Sequence, residues 1–261
     1  YAILFPMLLA FLVLCQRCMV GRTPVWIPGV VLGVTVSLHL ITLAAAPALA
    51  WATLRRTGRV TISVVSLAVV PATACIVLVL IGLPYDAFLH LEPGHHTLQL
   101  LGEADHYRPY ALISWSHAME LWNQYALVAP AALICLGLAR RFQWRDPTDT
   151  MLFLAAAPLV AFTVLFNPEI GAFRNWDVFA LPALPLTLLA GRWLGRAYAG
   201  VETSRIAVSV VVIASLVHTA SWVGLNANAE AAVARFDHNV QEGANSDHAR
   251  SHGAGTLAEY H

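Results

Sequence analysis

The sequence predicts an all-α fold: a polytopic integral membrane bundle of six to seven transmembrane helices, followed by a short soluble helical tail. Three observations predict it. Of the 261 residues, 58% are hydrophobic and 11% charged, with a mean hydropathy of +0.65. A soluble domain carries roughly 25% charged residues. Several apolar stretches reach the roughly 20 residues that a bilayer crossing needs, because in hydrocarbon each backbone polar group must be paired within its own helix. The arginines, finally, gather in short groups between those stretches. These figures exclude a soluble globular domain and a disordered tail. The 15 basic and 15 acidic residues cancel, so there is no basic footprint for phosphate backbones and no nucleic-acid partner is expected.

The transmembrane domain is expected over residues 1–225. Its opening run, 1–16, is short. No charged segment or cleavage site precedes it, so it does not read as a signal peptide, and the chain reads as a piece of a longer protein. The stretch 23–54 is expected to cross once, with His39 its one ionisable group, and 60–85 to cross next. The stretches 121–139, 150–168 and 206–229 are also long enough, the last interrupted by His218. The stretch 178–191 holds Pro182 and Pro185 and is expected to be broken or tilted. Pro47, Pro71, Pro130 and Pro158 fall inside expected spans, where a missing N–H kinks a helix. The tail, 226–261, suggests an amphipathic helix carrying Ala231, Ala234, Phe236 and Val240, a break at 243–246, and a second helical start around 248–260.

Arginine placement orients the spans. Arg55, Arg56 and Arg59, then Arg140, Arg141 and Arg145, then Arg192, Arg196 and Arg205 follow alternate spans and define a cytoplasmic side. Arg17 and Arg22 are the exception. The periplasmic side then receives the loops 85–120 and 167–177 and the tail. Asp86, Glu92, Glu103, Asp105, Glu120, Glu169 and Asp177 agree with that division.

Two outer segments carry groups capable of chemistry. Between two spans, Asn167, Glu169, Arg174, Asn175 and Asp177 crowd around Pro168 and Gly171, with Trp176 and Phe179 suited to the membrane surface. Asp177 falls where the next helix should begin, an N-cap position. It would then cap while Arg174 pairs with Glu169 or a lipid phosphate. In the functional alternative, Arg174 and the helix start hold an anionic phosphate group, and Asp177 or Glu169 orients or deprotonates an acceptor. In the second segment, His117, Glu120 and Asn123 are spaced by three. On a helix each such step turns the side chain by about 60°, so the trio covers an arc of roughly 120°. Such a stripe either glues helices together or lines a wet pocket.

Other polar groups carry less. His90, His95, His96 and His106, with their acidic neighbours, fit no zinc spacing, and no metal is expected. Four cysteines are too few for a disulfide framework, and Cys15 and Cys18 form a lone CxxC. His39 and His218 are single histidines in apolar runs. His39 is the better candidate, since an ionisable group in a long span needs compensation.

The run Asn167-Pro-Glu-Ile-Gly, then Arg174-Asn-Trp-Asp-Val-Phe-Ala180 and Leu184-Pro-Leu, resembles a motif of bacterial polytopic membrane proteins with tetratricopeptide-repeat tails. These are similar to the GT-C class of lipid-sugar-dependent glycosyltransferases, protein O-mannosyltransferase-like proteins among them. The segment from Tyr110 through His117, Glu120 and Asn123 also resembles that group, as do the Gly33 to His39 helix and the tail from Ala249 to Tyr260. In the group the motif commonly reads Asn-Pro-x-x-Gly, then Arg-Asp-Trp-Asp-Leu-Phe. Here Asn175 replaces the first of the two aspartates, removing a carboxylate. The principal catalytic carboxylate of GT-C enzymes lies in a first outer loop that would precede Tyr1.

The resemblance implies a protein of the bacterial inner membrane with its tail in the periplasm. It would transfer a sugar from a polyprenyl-phosphate donor, with no cofactor. Asp177, Glu169, His117 and Glu120 would be catalytic on the acceptor side. Arg174, Asn167, Asn175, Trp176, Asn123 and His39 would bind substrate. Expected partners are membrane lipid, the lipid-linked sugar and a protein recruited by the tail, the start of a repeat domain. The alternatives are a non-catalytic membrane scaffold and a transporter with its pocket at the kinked helices.

Overall fold

The computed structural model describes residues 3–83, 111–130, 132, 143–166, 176–197, 203–242 and 247–260; at 176, 177, 203–205, 207, 247–249 and 260 it describes the backbone alone. Among the described residues the chain is helical throughout, without β-sheet. The helices are α1 (Leu4–Met19), α2 (Ile27–Leu38), a 3-10 helix (Leu40–Ala45), α3 (Ala46–Thr57), α4 (Val60–Leu80), α5 (Trp115–Val128), α6 (Pro147–Leu165), the short α7 (Trp176–Ala180), α8 (Ala183–Ala197), α9 (Thr203–Ala227), α10 (Ala229–Glu242) and α11 (Asp247–Tyr260). Among the described residues, four stretches are long and apolar enough to cross a membrane: Val60–Leu80, Pro147–Leu165, Val178–Ala197 and Val208–Ala227.

The core lies between α1, α2, α3, α4, α6 and α8. Phe11, Leu32, Leu49, Val70, Met151 and Leu189 supply one buried side chain from each. A second contact gathers Leu4, Leu159 and Leu181 beneath Ile41 and Ala44 of the 3-10 helix. The two clusters give the bundle two ends. One holds the close of α1, α3 and α8 and the start of α4 and α6; the other holds the start of α1, the 3-10 helix and the close of α6.

The stretch 23–54 is not one helix. At His39 the backbone is extended (φ −160°, ψ 110°), and the chain turns through the 3-10 helix before α3 begins. A continuous helix would carry Pro47 in its interior, which costs about 3 kcal/mol. Instead Pro47 sits in the first turn of α3, where a missing N–H is harmless. Just before the break, the hydroxyls of Thr35 and Ser37 donate back to the carbonyls of Val31 (2.6 Å) and Val34 (2.7 Å), bonds that compete with regular helix and favour bending.

The two halves then run in opposite directions. The Arg56 guanidinium, at the close of α3, donates to the carbonyl of Thr23, just before α2. It also lies against Cys18 at the close of α1. The segment therefore goes out along α2 and comes back along α3. Each arm has 12 residues, about 18 Å of helix against a hydrocarbon core of about 30 Å. The expectation of a single crossing over 23–54 is replaced by a helical hairpin. One consequence follows for charge: Arg17 and Arg22 now lie at the same end as Arg55 and Arg56, and the exception in the arginine pattern disappears.

Close approach to α4 holds this hairpin. Gly29 packs against the carbonyl of Ser66, and Gly33 against the carbonyl of Val70 and the side chain of Thr73. The rising order on both helices makes α2 and α4 parallel. A Cβ at Gly33 would stand 2.6 Å from Thr73 Cβ and 2.7 Å from Val70 O. No side chain fits there.

The second expected span to break is 121–139. Helix α5 closes at Val128, and Ala129 leaves helical geometry (φ −144°, ψ 53°). A residue preceding proline is disfavoured in the α region, and Pro130 follows. Residues 133–142 lie outside the described residues. Pro71 and Pro158 are inside helices α4 and α6, as expected. The break within 178–191 is also present, as the turn at Leu181–Pro182 between α7 and α8.

The arginine end carries two carboxylates that break the expected division of acids. Asp146 caps α6, its Oδ1 accepting from the backbone N–H of Thr148 (2.8 Å) and Asp149 (3.0 Å). Its Oδ2 accepts from Arg192 (2.7 Å) and Arg196 (3.2 Å). Asp149 is fully buried, 0% exposed. It accepts from Arg192 Nε (2.8 Å), Trp193 Nε1 (3.3 Å) and Arg196. The acids are thus not confined to the outer end. Here they tie the start of α6 to the close of α8.

Candidate functional site

The site is built on α5, at the end of the bundle opposite the arginines. Ser114 caps this helix by accepting from the backbone N–H of His117 (3.2 Å). Two bonds then fasten α5 to the close of α6. His117 Nε2 donates to the carbonyl of Val164 (2.9 Å), and Tyr125 pairs with Thr163 Oγ1 (2.5 Å). A carbonyl can only accept, so this ring nitrogen must carry the proton.

The expected stripe on α5 is present, with exposure rising along it. His117 is 3% exposed, Glu120 half-buried and Asn123 exposed. His117 is held between helices, with one ring nitrogen occupied in joining them. Asn123 opens to solvent. The stripe both glues and faces water, at different residues.

Helix α7 packs against α5. This brings the last two residues of the second expected segment to the first, because the backbone of Trp176 and Asp177 forms the first turn of α7. Asp177 lies inside that turn rather than at the N-cap position. Asn167, Glu169, Arg174 and Asn175 lie outside the described residues, as do His90, His95, His96 and His106. His39 occupies the extended break before the 3-10 helix, at the same end of the bundle. Among the described residues, no three His, Cys, Asp or Glu side chains come together as a metal site. Cys15 and Cys18 are buried on one face of α1.

A groove of about 730 Å³ opens between α5, α9 and α10. Asn123 and Gln124 line it from α5; His218, Trp222 and Asn226 from α9; Arg235, Phe236 and Asn239 from α10. Of the residues expected to bind substrate, Asn123 lies in its wall. Arg235 donates to Asn226 Oδ1 (2.5 Å), drawing the first tail helix back over α9. Neither this groove nor the apolar one between α8 and α9 is lined by Pro47, Pro71, Pro130 or Pro158.

Sequence reasoning missed most of this wall. His218, Trp222 and Asn226 recur every four residues on an otherwise apolar helix, so they share one face. Taken singly, His218 reads as a packing residue. The period was the available signal. The contribution of α10 had none, because only folding brings Arg235 back to Asn226.

No protein-family model, curated protein or solved structure matches the chain.

Proposed function

We propose that this chain is the membrane-embedded part of a GT-C-like glycosyltransferase that draws sugar from a polyprenyl-phosphate donor. The observation that carries this reading is the packing of α7 on α5. The backbone of Trp176–Ala180, which closes the second polar stretch in sequence, thus meets the helix of His117, Glu120 and Asn123 at the end of the bundle opposite the arginines. That is the arrangement a transferase needs when a lipid-borne phosphate and a water-borne acceptor meet at one membrane boundary.

In this reading the arginine end faces the cytoplasm of a bacterial inner membrane. Helix α1, helix α4, the segment beginning with α5, helix α6, the α7–α8 pair and helix α9 then make six crossings. The α2–α3 hairpin enters from the cytoplasmic side and returns, and the tail is periplasmic. The hairpin supports this orientation, since with it Arg17 and Arg22 join the other inner arginines.

The chemistry follows from the groups available. A carboxylate among Glu120, Glu169 and Asp177 takes the proton of an acceptor hydroxyl. The oxygen attacks the anomeric carbon, and the bond from that carbon to the phosphate oxygen breaks. The departing polyprenyl phosphate keeps the electron pair, and Arg174 with Asn167 and Asn175 stabilises its charge. His117 positions α5 through Val164; Trp176, Asn123 and His39 border the substrates.

Reconstitution in vesicles with a polyprenyl-phosphate sugar tests this. Asp177→Asn and Arg174→Ala should each abolish transfer of labelled sugar while the protein inserts normally. Full transfer by both variants would remove the assignment.

A further inference from the structure

We infer that the arginine end of the bundle is a docking surface for an anionic phospholipid of the surrounding bilayer. This goes beyond the transferase reading. It concerns the end opposite α5 and α7, and it requires only that the chain lies in a membrane, whichever compartment that end faces.

Two turns build the surface. Arg17 and Arg22 stand around the α1–α2 turn, and Arg55, Arg56 and Arg59 around the α3–α4 turn. The bond from Arg56 to the Thr23 carbonyl ties one turn to the other. Each turn pivots on a glycine in the left-handed region, Gly21 (φ 79°) and Gly58 (φ 64°). A Cβ on either would meet nothing within 4 Å, so both turns are open there. Arg145 joins them from the start of α6, which is held level with α3 because Trp51 Nε1 donates to the carbonyl of Pro147 (3.0 Å). All six arginines are exposed. The acids at this end among the described residues, Asp146 and Asp149, are taken up by Arg192 and Arg196. The charge of the six is left for solvent or a partner.

Depth and apolar neighbours then select the partner. Trp51 lies one helical turn, about 6 Å, below Arg55, and Trp26 and Trp144 are exposed at the same end. Tryptophan collects where hydrocarbon meets headgroups, so guanidinium groups one turn further out stand at phosphate depth. Below Arg59, Val60, Val64 and Val65 of α4 are exposed. An anionic phospholipid fits both halves: its phosphate oxygens accept from the planar guanidinium fork, and its acyl chains cover the valines. A soluble phosphate would use the arginines and leave the valines bare. A zwitterionic lipid brings its own cation and gains less. Basic clusters beside membrane helices recognise anionic headgroups by this same attraction. An arginine bias that only orients the chain needs charge on one side and holds no lipid in place.

Native mass spectrometry of the full chain in detergent tests this by reading lipid retention. The probes are phosphatidylglycerol, phosphatidylcholine with the same acyl chains, and glycerol phosphate as a competitor without chains. Phosphatidylglycerol should be retained about tenfold or more over phosphatidylcholine. Each basic residue near an anionic surface strengthens attachment by roughly fivefold, so Arg22→Gln combined with Arg59→Gln should weaken retention about tenfold or more. Both residues enter the bonds of their turns through backbone N–H groups (2.8 and 3.2 Å), which glutamine keeps, so the thermal midpoint without added lipid should stay near wild type. Should the pair unfold, Arg55→Gln alone decides, with a loss of roughly fivefold expected. Arg22→Lys with Arg59→Lys should keep the preference for phosphatidylglycerol, and Arg250→Gln in the tail should change nothing. Equal retention of the two lipids overturns the inference, as does retention indifferent to the glutamine variants or weakened as much by Arg250→Gln. Displacement of phosphatidylglycerol by millimolar glycerol phosphate also overturns it, because the surface would then take a soluble phosphate.

Discussion

The two ends of this molecule use polar side chains in opposite ways. At the arginine end, Asp149 is sealed from solvent and accepts from two arginines and a tryptophan, while Asp146 divides its oxygens between a helix cap and the same arginines. At the other end, Gln124 is nearly as buried but keeps an acceptor without a partner, beside a groove large enough for a ligand. Burial is similar and satisfaction is not. Asp149 turns its burial into bonds that hold helices together; the Gln124 side-chain carbonyl is buried without that return.

Substitutions at the two ends should therefore diverge. The largest effect is expected from Asp149→Ala, which leaves Arg192 and Arg196 without their buried counter-charge. Breaking a fully buried pair costs about 3–5 kcal/mol; both arginines are partly exposed and keep Asp146, so the lower end is expected, to be seen as a fall in the thermal midpoint in detergent. A midpoint within a degree or two of wild type would show that the cluster is not holding α6 to α8.

Next comes Gly33→Ala, which forces a methyl group onto the backbone of α4. Overpacking of this kind costs about 1–3 kcal/mol. The same midpoint measurement should show it, and Val30→Ala on the same helix should cost less. Asp146→Ala removes the cap of α6 and one arm of the ion cluster, with about 1–2 kcal/mol expected from the cap alone. Asp146→Asn should recover part of that through the backbone bonds. Gln124→Leu, at the opposite end, should cost nothing and raise the midpoint slightly, because it deletes an unpaired buried acceptor. A destabilised Gln124→Leu would erase the contrast between the two ends.

The hairpin predicts labelling rather than stability. In a background without native cysteines, Arg22→Cys and Arg59→Cys should react with an impermeant maleimide from the same side of sealed vesicles. Reaction from opposite sides would restore a single crossing over 23–54.

Much of the helical layout was legible in residues near one another. The spans 60–85, 150–168 and 206–229 match α4, α6 and α9 because twenty apolar residues leave the backbone few choices besides helix. The break at Pro182 and the two tail helices were legible for similar reasons, proline lacking a donor and the tail carrying a helical stripe. The α5 stripe was visible as a spacing of three, with helix packing and a wet pocket standing as alternatives for it. What spacing could not tell was that His117 would turn inward to Val164 while Asn123 opened outward. Asp149 was overlooked because an acid near an arginine group looks like surface until Arg192 and Arg196, more than forty residues on, close over it.

The amino-acid order by itself determined that the chain is helical, where its apolar helices lie and where its arginines gather, because each depends on hydrophobicity, backbone geometry or charge within a few turns. Only the tertiary structure decided direction and partnership: that α2 and α3 form a hairpin, that Asp149 is neutralised, and that the first tail helix walls a groove on α5. Apolar content over a window carries no sign, so one long helix and two opposed short ones look alike. The choice between them was made by the contact of Gly29 and Gly33 with α4 and of Arg56 with Thr23, contacts that exist only once the chain has packed.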